Sequence, residues 1–162
     1  MLRLFIKKKY SHYHIFSLDS WTDAGNLENL TDVQGVVNYT FLKADTCNRN
    51  QICELFSECQ YSNVTHSAIE SHVNGSITNP FVFVETNVIG ILNMLHRANP
   101  SRRNSSKQPL VWHISKDKGY VSLEEKGLFK EQTSYHPNSP YFVSKASSHD
   151  FVRAFVYMVY IT

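Results

Sequence analysis

Cysteine is scarce in this 162-residue chain, and the three present, Cys47, Cys53 and Cys59, form no Cys-x-x-Cys pair. An odd count without paired spacing excludes a disulfide framework or a zinc knuckle and points to a reducing compartment, so a cytoplasmic protein is expected. Long apolar runs are missing too. No stretch approaches the ~20 residues a membrane helix needs, and apolar Phe151 to Ile161 is short and contains Arg153. Met1 to Ile6 is apolar, but lysines interrupt it at once, which is not the pattern of a secretory signal. The five Asn-x-Ser/Thr sequons, at Asn29, Asn38, Asn63, Asn74 and Asn104, then read as chance matches. Nor does one charge dominate: 16 basic and 14 acidic residues leave a formal net charge of +2. The basic residues are scattered apart from Lys7-Lys8-Lys9 and Arg102-Arg103. Short runs like these are solvated faces, so neither nucleic acid nor membrane is an expected partner.

What is present describes one ordinary globular domain, with 42% hydrophobic residues. Leu2 to Tyr10 reads as the end of a helix, with lysines trailing toward its C-terminus. His14 to Asp19 reads as a short strand ending in a carboxylate, and Ala24 to Leu30 as a turn into a brief helical piece. Asn38 to Asp45 is a second strand that also ends in aspartate. Asn50 to Glu58 is an amphipathic helix with Ile52, Cys53, Leu55 and Phe56 inward. A third strand, Ser62 to Ala68, precedes a long helix from about Pro80 to Arg97. Its expected buried side carries Phe81, Val84, Val88, Leu92 and Leu95. Polar Asn99 to Gln108 is a surface loop, and Pro109 to Ser115 a fourth strand.

Strands alternating with helices predict an α/β fold with a parallel sheet. In such sheets ligands bind beyond the carboxyl ends of the strands. Asp19, Asp45, Ala68 to His72, and Ser115 to Asp117 all fall at those ends. An aspartate at a strand tip can bind the two hydroxyls of a ribose. His66 and His72, six residues apart across a strand end and without a third ligand, are not expected to hold a metal.

The run Ser139-Pro140-Tyr141-Phe142-Val143-Ser144-Lys145 follows. A tyrosine and a lysine four apart, behind a proline suited to a first helical turn, lie on one helix face. An ammonium beside a phenol favours the phenolate, and such a phenol can take a proton from a sugar hydroxyl while hydride leaves the same carbon.

These residues, with Ala24-Gly25-Asn26-Leu27-Glu28-Asn29-Leu30, Glu70-Ser71-His72-Val73, Ser76 to Phe81, Thr86-Asn87-Val88-Ile89-Gly90 and His113-Ile114-Ser115, resemble the dTDP-glucose 4,6-dehydratases of the extended short-chain dehydrogenase/reductase (NAD-dependent epimerase/dehydratase) family. The likeness runs along almost the whole chain in the family's order. It implies an incomplete Rossmann-like, doubly wound parallel sheet lacking the first strand and the C-terminal substrate domain, so that residues 1–162 form a partial NAD(P)-binding domain. It implies NAD as cofactor and dTDP-glucose as substrate, dehydrated to the 4-keto-6-deoxy sugar. Asp19 then matches the adenosine-ribose ligand, with Ser20, Trp21 and Thr22 after it, and Asp45 and Thr46 match the pair beside the adenine. Ser67, Ala68, Ile69, Glu70 and Ser71 match the segment under the nicotinamide half, Ser71 also facing substrate, and Thr86 is a further cofactor contact. Tyr141 and Lys145 match the catalytic pair and also touch the cofactor. Asp117 stands at the place of the elimination acid. A homodimer through the Pro80–Arg97 and Tyr141 helices is implied as well.

The sequence also departs from the family. The Gly-x-x-Gly-x-x-Gly turn that binds pyrophosphate is not among these residues, which predicts weak NAD binding and leaves open whether Met1 is the true start. The family reads Ser-Thr-Asp-Glu after the fourth strand, whereas this chain reads Ser115-Lys116-Asp117-Lys118. Lys116 replaces a substrate-binding threonine, and Lys118 the base that removes the carbon-5 proton. Asn74-Gly75 replaces Asp-Arg, and Ile69 a small alanine. Activity of this polypeptide therefore stays open. The alternatives are a non-catalytic remnant or interaction partner of full-length relatives, and another nucleotide-sugar epimerase or dehydratase.

Overall fold

The computed structural model describes residues 6, 12–22, 25–59, 61–99, 109–115 and 137–161. The expected helix over Leu2 to Tyr10, apart from Ile6, and the loop of Lys116, Asp117 and Lys118 lie outside them. The chain divides into two compact units, Met1–Asp45 and Thr46–Thr162.

In the first unit, β1 (Ile15–Asp19) and β2 (Tyr39–Lys43) pair in parallel from Ile15 opposite Tyr39 to Asp19 opposite Lys43. Parallel strands need a crossover. Here it runs through a 3₁₀ turn, Leu27–Leu30, whose start is set by Asn26: its side chain accepts the Glu28 N–H at 2.8 Å. Val33 is fully buried beyond that turn, and Gly35, at φ +79°, takes the left-handed conformation that reverses the chain toward β2.

The second unit starts with α1 (Arg49–Glu58), capped by the Asn48 side chain, which accepts the N–H groups of Asn50 and Gln51. It buries Ile52 and Phe56, while Cys53 and Leu55 are half-buried. The strands β3 (Asn63–His66) and β4 (Leu110–His113) pair in parallel, with His66 opposite His113. Between them lie α2 (Val73–Thr78), which the sequence reading missed, and a continuous rod made of α3 (Pro80–Val84), a π-helical turn (Glu85–Ile89) and α4 (Gly90–Ala98). The last element is α5 (Pro140–Ile161).

The rod buries Phe83, Asn87, Val88, Ile91, Met94, Leu95 and Ala98. Phe81 and Val84, expected inside, are 75% and 45% exposed. The reason is the π turn: it adds one residue to the helix and shifts the phase of the buried stripe. A regular 3.6-residue repeat therefore fits only the part of the rod beyond it. Side-chain bonds fix α4 in place, with Asn93 Nδ2 donating to the carbonyls of Thr46 (2.9 Å) and Cys47 (3.2 Å), and Arg97 donating to Cys53 O.

The α/β character and parallel pairing match the expectation. A doubly wound sheet runs in the order 3-2-1-4-5-6. Its pairs 2–3 and 4–5 correspond to β1–β2 and β3–β4. Strand 1 has no counterpart among the described residues, and no ladder joins the two pairs there.

Gly90 opens a testable contact inside the second unit. A Cβ there would stand 2.7 Å from Thr46 Oγ1 and 3.3 Å from Thr46 Cβ, and Thr46 is itself buried. Overpacking of this kind costs about 1–3 kcal/mol, more than the ~1 kcal/mol helix preference of alanine over glycine. Gly90→Ala is expected to lower the urea midpoint with an unchanged slope, and G90A/T46A to recover it. A raised midpoint in the single variant would show that Thr46 gives way freely.

Candidate active site

Serine at position 139 starts α5. Its Oγ accepts the Phe142 N–H at 3.2 Å, and Pro140 occupies the first turn, where its missing N–H costs nothing. One turn on, Tyr141 and Lys145 lie on the inward face, 2% and 3% exposed. The Tyr141 ring meets Phe83 edge to face at 6.1 Å. Lys145 Nζ donates to the Ile114 carbonyl at 3.3 Å, just past the end of β4. The expected pair thus shares one helix face, with the amine against a strand tip.

A second group, to which the sequence reading gave no bracing role, supports this pair. Asn87 is 2% exposed. Its Oδ1 accepts the Glu70 N–H at 2.9 Å, and its Nδ2 donates to Glu70 O at 3.1 Å and to Ser144 Oγ at 2.9 Å. Ser144 Oγ in turn donates to Tyr141 O at 2.8 Å. The segment after β3 is thereby tied to the helix that carries Tyr141. The sequence signal was a polar residue four positions after Phe83, on what proves to be the buried face. The π turn that contains Asn87 is a common feature of functional sites.

Two histidines lie behind Lys145. His66 and His113, on facing strand positions, have ring centroids 5.5 Å apart. Burial first, then the charges of His113 and Lys145, pushes His66 down to about 4. Burial, Lys145 and His149 push His113 down to about 4 as well. Both rings are therefore neutral at pH 7. Neither ring nitrogen of His66 has a hydrogen-bond partner among the described residues. Ser148 Oγ donates to Lys145 O at 2.8 Å and lies 3.4 Å from His113 Nε2. With its own proton so used, Ser148 accepts from His113, whose Nε2 then carries the hydrogen.

Of the remaining expected residues in this unit, Thr46 is buried, Ile69, Glu70 and Thr86 are half-buried, and Ser67, Ala68 and Ser71 are exposed. In the first unit, Asp19 is the last residue of β1 and its Oδ1 accepts the Trp21 N–H at 2.7 Å. Ser20, Trp21, Thr22 and Asp45 are exposed. A cleft of about 270 Å³ opens there, lined by Ser17, Asp19, Trp21, Gly25, Asn26, Asn29, Leu30 and Phe41. A carboxylate at a strand tip beside an open cleft fits the adenosine end of a dinucleotide.

The sequence profile of the family described as GDP-mannose 4,6 dehydratase matches residues 1–160. The chain belongs to that family. Among curated family relatives, a probable dTDP-glucose 4,6-dehydratase from Sinorhizobium fredii is 43% identical over 144 residues, covering 86% of this chain and 41% of that protein. The dTDP-glucose 4,6-dehydratase 1 of Escherichia coli is 39% identical over 156 residues, covering 86% and 42%. Among solved structures, the dTDP-glucose 4,6-dehydratase DesIV from Streptomyces venezuelae, with NAD and TYD bound, superposes with a TM-score of 0.82 at 32% identity, covering 95% of this chain and 46% of that one. The chain spans about two fifths of the length of the curated relatives it matches. Among the described residues no helix is long and apolar enough to cross a membrane.

Proposed function

We propose that this chain is the cofactor-binding portion of a dTDP-glucose 4,6-dehydratase, with residues 1–162 acting as one partial NAD(P)-binding domain. The observation that carries the reading is the Tyr141–Lys145 pair, on one helix turn at the β4 tip, in a chain of this family. Asp19, with Ser20, Trp21 and Thr22, holds the adenosine ribose of NAD. Asp45 and Thr46 flank the adenine, and Ser67 to Ser71 with Thr86 line the remainder. When bound, NAD supplies the hydride acceptor for carbon 4 of the sugar and the hydride returned at carbon 6. Tyr141 takes the proton of the sugar's 4-hydroxyl, and Lys145 favours the phenolate and binds the nicotinamide ribose. Asp117 protonates the departing 6-hydroxyl, and Lys116 and Ser71 contact the substrate. The setting is cytoplasmic.

A second reading rests on one residue. Lys118 stands where the elimination needs a base, and a solvated ammonium cannot take a proton. This favours a non-catalytic chain that binds cofactor or full-length relatives. Calorimetric titration with NAD is expected to show saturable binding weaker than micromolar; no binding overturns the cofactor reading. Incubation with NAD and dTDP-glucose then separates the two readings. A product lighter by one water supports a dehydratase, whereas bound NAD without product supports the second.

Apolar side chains support the dimer. Phe81 and Ile89 on the rod, and Val143 and Phe151 on α5, are each more than a third exposed, each pair at a helical spacing of eight. Sedimentation is expected to show a dimer that F81E/F151E turns into monomer; a wild-type monomer overturns it.

A further inference from the structure

Trp21 has φ +51°, a backbone region sparsely populated and costly for a bulky side chain. The indole is 45% exposed, so burial does not compensate. Three contacts hold it instead. The backbone N–H of Trp21 donates to Asp19 Oδ1 at 2.7 Å. The Lys43 ammonium stands 5.0 Å from the ring centroid, within cation–π range. Gly25 leaves room for the ring, since a Cβ there would sit 2.6 Å from Trp21 Cδ1 and force it to shift; the Gly25 N–H also closes the turn onto Thr22 O at 2.7 Å. A strained, solvent-facing aromatic kept in place by three separate devices calls for a ligand. The cleft it lines, about 270 Å³, falls just below the ~300–1,000 Å³ of small-molecule pockets. That size suits one nucleoside, with an aromatic plane for the base and a carboxylate for the ribose hydroxyls.

We propose that Trp21 is the specificity-determining wall of the β1 cleft, on which a purine stacks, and that Gly25 and Lys43 are positioning residues that hold the indole there. This rests on the reading of the β1 tip as the seat of the cofactor's adenosine. Neither Gly25 nor Lys43 needs to touch the ligand. Their part is to keep the indole from collapsing into the cleft or swinging away from it.

The test uses the full chain carrying Trp112→Phe, a strand position outside the cleft, which leaves Trp21 as the single indole. NAD and AMP are expected to quench its emission saturably, with CMP bound about threefold more weakly, because every base stacks and the preference among them is modest. Trp21→Phe keeps the purine preference, and Trp21→Leu loses it together with about tenfold in AMP affinity. Lys43→Gln and Gly25→Ala weaken AMP binding roughly threefold and shift the emission. Circular dichroism of each variant must match the parent. Calorimetry on the unsubstituted chain separates the failures. No heat with NAD or AMP overturns the adenosine reading and the wall with it. Undiminished AMP binding by Trp21→Leu, or equal binding of CMP and AMP, overturns the wall alone.

Discussion

The Asn87→Ala variant will lose about 3 kcal/mol or more of stability, the largest single-residue effect expected in the second unit. The side chain is 2% exposed and makes three hydrogen bonds, two to the backbone of Glu70 and one to Ser144. Each bond contributes about 1 kcal/mol net, and each partner left buried without one adds a further ~1–3 kcal/mol. Asn87→Asp will do no better, because it keeps the acceptor for Glu70 N–H, loses both donors and places a charge where water is excluded. Ser144→Ala removes only one link to Asn87 and its own bond to Tyr141 O, and should cost about 1 kcal/mol. Urea unfolding followed by circular dichroism measures all three. A loss under 1 kcal/mol for Asn87→Ala would mean that water replaces the clamp and that nothing in the protein ties Glu70 to α5.

Acid will begin to destabilise the chain above the range in which carboxylates titrate. His66 and His113 sit at about 4 in the folded chain, below the ordinary value of 6.5. The unfolded chain therefore takes up protons below pH 6.5 that the folded chain refuses until about pH 4. Stability from these rings is complete above 6.5 and is lost as pH falls toward 4. For His66, 3% exposed, the loss is roughly 2 kcal/mol at pH 5 and approaches ~3 kcal/mol at the lower limit. His113, less buried, adds a smaller amount. Lys145 and His149 face the pair from α5 and oppose a further charge there. Unfolding free energies at pH 7 and pH 5 test this. His66→Phe should flatten the slope between those values; an unchanged slope would place the titration elsewhere.

The two effects share an origin in packing that no short stretch of sequence announces. Asn87 in isolation is one polar residue in an apolar helix, and the sequence repeat put Phe81 and Val84 inside instead of Phe83 and Asn87. The π turn between them changed the phase, and hydrogen bonding of the widened turn to Glu70 and Ser144 made the polar position the buried one. His66 and His113 are 47 residues apart in the chain, yet strand register sets them opposite each other. Burial, not local sequence, makes both neutral.

Other features were legible because the forces behind them are local. Tyr141 and Lys145 share a face through the pitch of a helix alone, and Asp19 ends β1 because the apolar run stops there. The strands β1 to β4, the helix α1 and the start of α5 fall within a few residues of where composition and periodicity put them. The strand ends carry the residues expected of a ligand-binding rim, although Lys116, Asp117 and Lys118 lie outside the described residues.

The sequence by itself determined the kind of each strand and of the longer helices, the family and the helix turn bearing Tyr141 and Lys145, since propensity and spacing act over a handful of neighbouring residues. Only the tertiary structure decided which strands pair, that Asn87 braces the Tyr141 helix, and that the Lys43 ammonium stands over the Trp21 ring. Those depend on contacts between groups far apart in the chain, whose energies exist only once the chain has folded.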